Sequence, residues 1–476
     1  MSKLIRRRQF LKGATQGAMA APLFASLERA GLAQRAKPAH THSSPAHPPP
    51  TSPGPKVALS VRDLGAIGDG KTNDTLALQQ SIDRCSVLGG GEVLMPAGDY
   101  STGALVLRSN VTLRLERGAR ILGVADLAAY PLAQVRWEGR WVKGYGALIS
   151  AEDSENIGIS GRGAIVGNPA IRGRIERATH LRLPALLEFT NCRNLRVENC
   201  ETSNGGMWSI HPTYCEDVVF RNVVVKSGAD GIDVDSCRRV VIDGCDFTTS
   251  DDCISLKSGR GEEGYTINRP TEDVRISNCT FSDSWFACVG IGSETSAGIR
   301  NVHIDHCKCV GARTYGVYIK TRIGRGAFIE NIYVNGMDVA GCRQGFLRIN
   351  VLSSGKQDEF PVPGNAGVPE VRDFRFTNIR VHDVPELVRA TEIDAGKPLV
   401  GFTLDGVTGT CSEGIFLANI KDVAIRNVRV TGYSGKLLNI HNVTGAGLAG
   451  AAKLPEEKIP KPTETIPAPE RPYMLH

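Results

Sequence analysis

Two acidic segments recur about one structural repeat apart. Gly228-Ala229-Asp230-Gly231-Ile232-Asp233-Val234-Asp235 comes first, and Ser250-Asp251-Asp252-Cys253-Ile254-Ser255-Leu256-Lys257 follows. Asp230 and Asp251 are 21 residues apart. If that interval is one turn of a coil, the two aspartates stack on neighbouring rungs, about 4.8 Å apart. Carboxylates crowded onto one surface cannot all ionise freely, so at least one is pushed toward its protonated form. A protonated carboxyl beside an ionised one is what glycoside hydrolysis needs: one for the leaving oxygen, one for water. Asp-Gly and Asp-Asp are also ordinary turn residues. Neighbours in a straight strand face opposite ways, so Asp251 and Asp252 reach one cleft only if the chain bends there. Clustering in consecutive repeats favours chemistry over turns.

The elements that must position these groups are short alternating segments, each apolar-x-apolar and then often Asn or Gly. They include Val218-Val219-Phe220-Arg221-Asn222, Val240-Val241-Ile242-Asp243-Gly244, Val274-Arg275-Ile276-Ser277-Asn278 and Val302-His303-Ile304-Asp305-His306. Starts fall 22, 34 and 28 residues apart, and 21 apart between Phe402 and Val423. Irregular spacing above a constant floor describes a fixed coil carrying loop insertions. Period-2 alternation makes each segment a strand with one buried face. A strand buries that face only against a copy stacked on it, so the expected fold is all-β, a parallel β-helix. One helix is expected over Asp74–Leu88, capping the open first coil. Its apolar positions are Leu76, Leu78, Ile82, Cys85 and Leu88. Cys200, Cys245, Cys279 and Cys307 share one register and Cys192, Cys215 and Cys237 another, which reads as thiols stacked in a core. No metal site and no cofactor are expected.

The chain has 476 residues, 56 Lys+Arg and 50 Asp+Glu, with 22% charged and 41% hydrophobic residues. That composition excludes a mainly disordered chain. Residues 1–36 hold seven of the basic residues and one acid, and the remainder is neutral overall. Nucleic acid is therefore not an expected partner. Arg7-Arg8-Gln9-Phe10-Leu11-Lys12 matches the twin-arginine export signal, and the apolar stretch from Gly13 to Leu27 is too short to span a bilayer. The expectation is export through the twin-arginine (Tat) machinery to the periplasm or outside the cell. Residues 37–56 read as a Pro/His/Ser-rich linker, 57–452 as the folded body and 453–476 as a Pro-rich tail. No membrane span is expected, and a monomer is.

Three segments together resemble the polygalacturonase family, glycoside hydrolase family 28. They are AIGDGKTNDTLALQQSID at 66–83, Asp230-Gly231-Ile232-Asp233, and Ser250-Asp251-Asp252-Cys253-Ile254-Ser255-Leu256-Lys257-Ser258-Gly259. Trp208-Ser209-Ile210-His211-Pro212 and Ile291-Gly292-Ser293-Glu294 are similar to bacterial members. The resemblance implies a right-handed β-helix and an inverting hydrolase of α-glycosidic bonds in galacturonate-containing pectic polysaccharide. Carried over by position, Asp251 is the general acid, and Asp230 and Asp252 hold and activate water. Lys320 matches the lysine that binds a galacturonate carboxylate. Lys257, His211 and Asp233 join the substrate-binding set by the same resemblance.

The departures bear on the substrate. The family's Asn-Thr-Asp is Gly228-Ala229-Asp230 here, and no histidine lies between Cys279 and Val302 to match its Gly-His-Gly. The arginine of its Arg-Ile-Lys is Tyr318, with Arg322 or Arg325 as nearby substitutes. Losing an arginine removes bidentate recognition of a carboxylate. A tyrosine offers a stacking face instead, suited to a neutral or 6-deoxy sugar. A rhamnogalacturonan or other substituted pectin is thus the alternative substrate. A polysaccharide lyase and a non-catalytic carbohydrate-binding β-helix are the rivals from other classes.

Overall fold

The computed structural model describes residues 57–456. The twin-arginine segment, the 37–56 linker and most of the 453–476 tail lie outside the described residues. The body is a right-handed parallel β-helix, its strands joined in one sheet that winds on itself.

Each coil contributes three strands. In one ladder Val218, Val240, Val274, Val302, Ile332, Phe374, Phe402 and Val423 stand in direct register. Two residues on, Phe220, Ile242, Ile276, Ile304, Val334, Phe376 and Leu404 are all buried. Period-2 alternation therefore supplies a continuous apolar column, and each coil closes the one below. The residue ending each strand turns the chain. Asn199, Asn222, Asn278, Asn378 and Asn427 all adopt the left-handed conformation (φ 51–62°), which Asn tolerates better than most side chains. Their side chains join from coil to coil, as where Asn222 Nδ2 donates to Asn199 Oδ1 at 3.0 Å.

Helix α1 spans Thr75–Val87 and covers the first coil. Leu78, Ile82 and Cys85 face the core, whereas Leu76 and Leu88 are exposed. Only the i, i+4, i+7 stripe is used. Asp74 precedes the helix, and its carboxylate accepts from the backbone N–H of Ile67 at 2.7 Å and Gly68 at 2.9 Å. All thirteen cysteines are buried with free thiols, and both predicted cysteine registers lie in the core. Cys288, Cys309 and Cys342 bring their sulfurs within 4.8 Å of one another there. Among the described residues no helix is long and apolar enough to cross a membrane.

Two features depart from a plain coil. An antiparallel hairpin pairs Leu132–Trp137 with Arg140–Tyr145. Its two-residue turn, Glu138-Gly139, has positive φ at both positions, as a type I′ turn requires. A second helix, α2 (Gly261–Ile267), sits in the insertion after the strand Ile254–Lys257.

Candidate active site

The acidic segments fall on one ladder. Ile210–Thr213, Ile232–Asp235, Ile254–Lys257, Val289–Ile291 and Tyr315–Lys320 pair in parallel, each with the next. Ile232 faces Ile254, and the N–H of Gly231 donates to the carbonyl of Asp252. Asp230 therefore stands level with Asp252, 22 residues on, rather than with Asp251 as the 21-residue interval predicts. The chain bends on either side of Asp252, and that bend brings Asp251 to the same cleft. The carbonyl of Asp251 accepts from the hydroxyls of Thr249 at 2.6 Å and Ser284 at 2.8 Å, which hold the bend.

The two neighbours differ in exposure. The Asp251 side chain is 30% exposed, against 3% for Asp252. Asp252 is held from three sides. Lys320 Nζ donates at 2.7 Å, Ser255 Oγ at 2.9 Å and the Ala287 N–H at 3.2 Å. A Cβ at Gly290, on the next rung, would lie 2.4 Å from Asp252 Oδ2, so only glycine leaves room for this carboxylate. Lys257 pairs with Asp233 at 3.0 Å, Asp230 at 3.3 Å and Glu294 at 3.8 Å, and its ammonium lies 4.0 Å from the centre of the Trp208 ring.

These environments split the carboxyls. Burial opposes ionisation of Asp230, but Lys257, Arg174 and a hydrogen bond from Asp233 outweigh it and hold Asp230 below the usual range. Burial and the charges of Asp230 and Asp252 push Asp251 up to about 6, against the pull of Arg174 and Lys320. Burial also raises Asp252, opposed by Lys320. Asp233, buried and beside Asp230, is raised well above the carboxylate range. A partly exposed carboxyl biased toward protonation thus stands beside a buried one biased toward ionisation, the division of labour that acid–base catalysis uses.

Several expected roles change. Asp233 has no exposed surface; it lies beneath Asp230 and acts on that group rather than on a sugar. His211 is also buried. Its ring packs edge-on against Trp208, with Glu188 at 3.7 Å and Asp235 at 4.0 Å, so it braces Trp208 and the carboxylates beside it. Arg322 donates to the Gly355 carbonyl at 2.7 Å and to Gln357, and Arg325 donates to Asp358 at 2.6 Å. Both therefore anchor the 351–370 loop instead of replacing the missing arginine. Arg260, before α2, donates to the same Asp358 at 2.8 Å, so the two insertions meet there. Tyr318 is half-buried and stacks on Phe286, their ring centres 5.7 Å apart and planes 20° apart. Lys320 Nζ lies 4.2 Å from the Phe286 ring centre.

Two site residues escaped sequence reasoning. Arg174 Nη2 donates to Asp251 Oδ2 at 2.5 Å. Glu138, at the hairpin tip, pairs with Lys356 at 3.1 Å and Arg260 at 3.2 Å. Both line a polar cavity of about 100 Å³ with Asp230, Asp251, Asp252, Lys257 and Lys320. The alternation around Glu138-Gly139 signals the hairpin. Nothing local marks Arg174, which reaches the site through tertiary contacts.

The model for "Glycosyl hydrolases family 28" matches residues 85–450. A protein named probable polygalacturonase from Vitis vinifera is 27% identical over 367 residues, 74% of each chain. An exo-poly-alpha-D-galacturonosidase of Dickeya chrysanthemi is 24% identical, covering 83% of this chain and 75% of its own. The crystal structure of a hyperthermoactive exopolygalacturonase from Thermotoga maritima superposes with a TM-score of 0.68 at 25% identity, covering 80% of this chain and 93% of its own. With the matched region spanning the ladder of aspartates and most of the coils, the chain belongs to glycosyl hydrolases family 28 and is a glycoside hydrolase.

Proposed function

We propose that this hydrolase cleaves α-glycosidic bonds of galacturonate-containing pectic polysaccharide with inversion, working from chain ends. The observation that carries the reading is the unequal trio: Asp251 partly exposed and raised to about 6, beside buried Asp230 held low and Asp252 pinned by Lys320. Asp251 gives its proton to the glycosidic oxygen as the C1–O bond breaks. Water held by Asp230 and Asp252 attacks C1 from the opposite face and passes its proton to that pair. An α-linkage then yields a β-configured reducing end. The names of the plant and Dickeya relatives support a polygalacturonate backbone. The small cavity, hemmed by Arg174 and Glu138, supports attack on a terminal sugar. Digestion of defined oligogalacturonates tests this: single terminal units released in sequence support the end-acting reading, and early internal fragments oppose it.

A second reading of the substrate rests on the Phe286–Tyr318 stack. It lies on later rungs than the aspartates and offers a ring face instead of an arginine fork. Such a face suits a neutral or 6-deoxy sugar on the leaving-group side, as in a rhamnogalacturonan. Equal, robust activity on polygalacturonate would remove this reading. Substrate is expected to be met outside the cytoplasm. Replacing Arg7 and Arg8 with Lys should retain the protein inside the cell, and unchanged export would exclude the twin-arginine route.

A further inference from the structure

The cavity's basic groups are Arg174, Lys257 and Lys320. Both lysines are committed to buried carboxylates: Lys257 to Asp233, Asp230 and Glu294, Lys320 to Asp252. Arg174 differs in its partner and its exposure. Its side chain is 31% exposed, and its guanidinium bonds Asp251, the group that must carry a proton to act. The segment bearing it, between the strands Ala164–Val166 and Leu187–Thr190, is anchored. The Leu183 N–H donates to the Arg174 carbonyl at 2.9 Å, Ile175 and Arg182 form an antiparallel bridge, and Arg182 pairs with Glu188 at 2.7 Å. The guanidinium also lies 5.9 Å from the centre of the Trp137 ring. The charged groups acting on it are Asp230, Asp251 and Glu138. Those acting on Asp251 are Asp230, Asp252, Arg174 and Lys320.

We propose that Arg174 is the carboxylate clamp for the uronate sugar whose bond is cut, and that this carboxylate displaces Asp251 from it. The inference rests on the catalytic reading above and names the ligand of one residue within it. Once Asp251 is protonated it no longer holds Arg174 by charge, and the guanidinium fork fits an incoming carboxylate bidentately. The coupling is reciprocal: a carboxylate on Arg174 favours the protonated, active form of Asp251. A uronate therefore arms the acid that cleaves it. Arg174 comes from the segment before the Leu187–Thr190 strand, on rungs earlier than the aspartates, whereas Tyr318 is on a later rung, so Arg174 does not duplicate the family arginine absent there.

The test compares wild type, Arg174→Gln and Arg174→Lys on oligogalacturonates and on their methyl esters, with pH profiles. Titration with D-galacturonate, followed calorimetrically, reads binding without turnover. The proposal expects Arg174→Gln to lose about 10–100-fold in kcat/KM on the free acid, the range of one charged hydrogen-bonding partner, and less than about 3-fold on the ester. Galacturonate binding should weaken similarly. Arg174→Lys should recover part of the loss. The alkaline limb of kcat/KM should move to higher pH in Arg174→Gln, because Asp251 loses the cation that favours its ionised form. Equal losses on acid and ester with an unmoved limb would show a merely structural role and overturn the proposal, as would unchanged galacturonate binding. If wild type cleaves no pectic substrate yet binds galacturonate through Arg174, the catalytic reading fails and the clamp stands.

Discussion

At the scale of single residues, the site works by giving chemically identical groups different surroundings. Asp251 and Asp252 are neighbours, yet one faces the cleft and the other is pinned among Lys320, Ser255 and Ala287. The pH dependence follows with a definite sign. Asp251 must be protonated, so kcat/KM should fall as pH rises through about 6. Asp230 must be ionised, and its range is depressed below 3.8, so the acid limb should lie lower still. Initial rates across pH 3–8 check this bell; a flat profile through about pH 6 would contradict the assignment of the acid. The three aspartates were legible because their type and spacing carry both chemistry and repeat, whereas Lys320 was reached only through the family resemblance. Burial was not legible. His211 and Asp233 share the outward face with Ser255 and Lys257, but Trp208 and Glu188 pack against the first and Lys257 against the second, which leaves neither exposed.

At the scale of elements, a one-residue difference in register matters. The sequence interval pairs Asp230 with Asp251, whereas the rung is 22 residues long here and pairs it with Asp252. The bend beside Asp252 supplies the missing residue, which a repeat count cannot foresee. Gly290 shows how the next rung protects this geometry. Gly290→Ala would set a Cβ 2.4 Å from Asp252 Oδ2 and push the carboxylate off its water. We expect kcat to fall about 100-fold, the scale of a misplacement near 1 Å, with the thermal midpoint little changed. Unaltered kcat would mean Asp252 does not need its present position. The hairpin that carries Glu138 was not read from the sequence, although the alternation flanking Glu138-Gly139 marks it. Nor was the Arg174 segment, because it is irregular and its position is set by its own Ile175–Arg182 bridge and by Arg182 pairing with Gly144 of the hairpin.

At the scale of the whole molecule, stacking does everything a compact core does elsewhere. The fold class was legible because each segment repeats one pattern and has only its own copies to pack against. Insertions were legible as excess spacing, but their meeting at Asp358 was not, since Arg260 and Arg325 lie 65 residues apart in the chain. Phe376 is buried between Phe346 and Phe402, at ring-centre distances of 6.0 and 5.7 Å. Phe376→Ala should destabilise by about 3–5 kcal/mol without altering the pH profile, since these coils lie beyond the catalytic rungs; denaturant titration measures it. Inversion requires Asp251 as the acid and Asp230 with Asp252 holding the attacking water. NMR of the first turnovers on an α-linked oligogalacturonate, with Asp251→Asn in parallel, tests it most directly. The β-anomer should appear first and mutarotate afterwards, and Asp251→Asn should be at least about 100-fold slower. An α-anomer formed first, an unsaturated product, or an undiminished Asp251→Asn variant would contradict it.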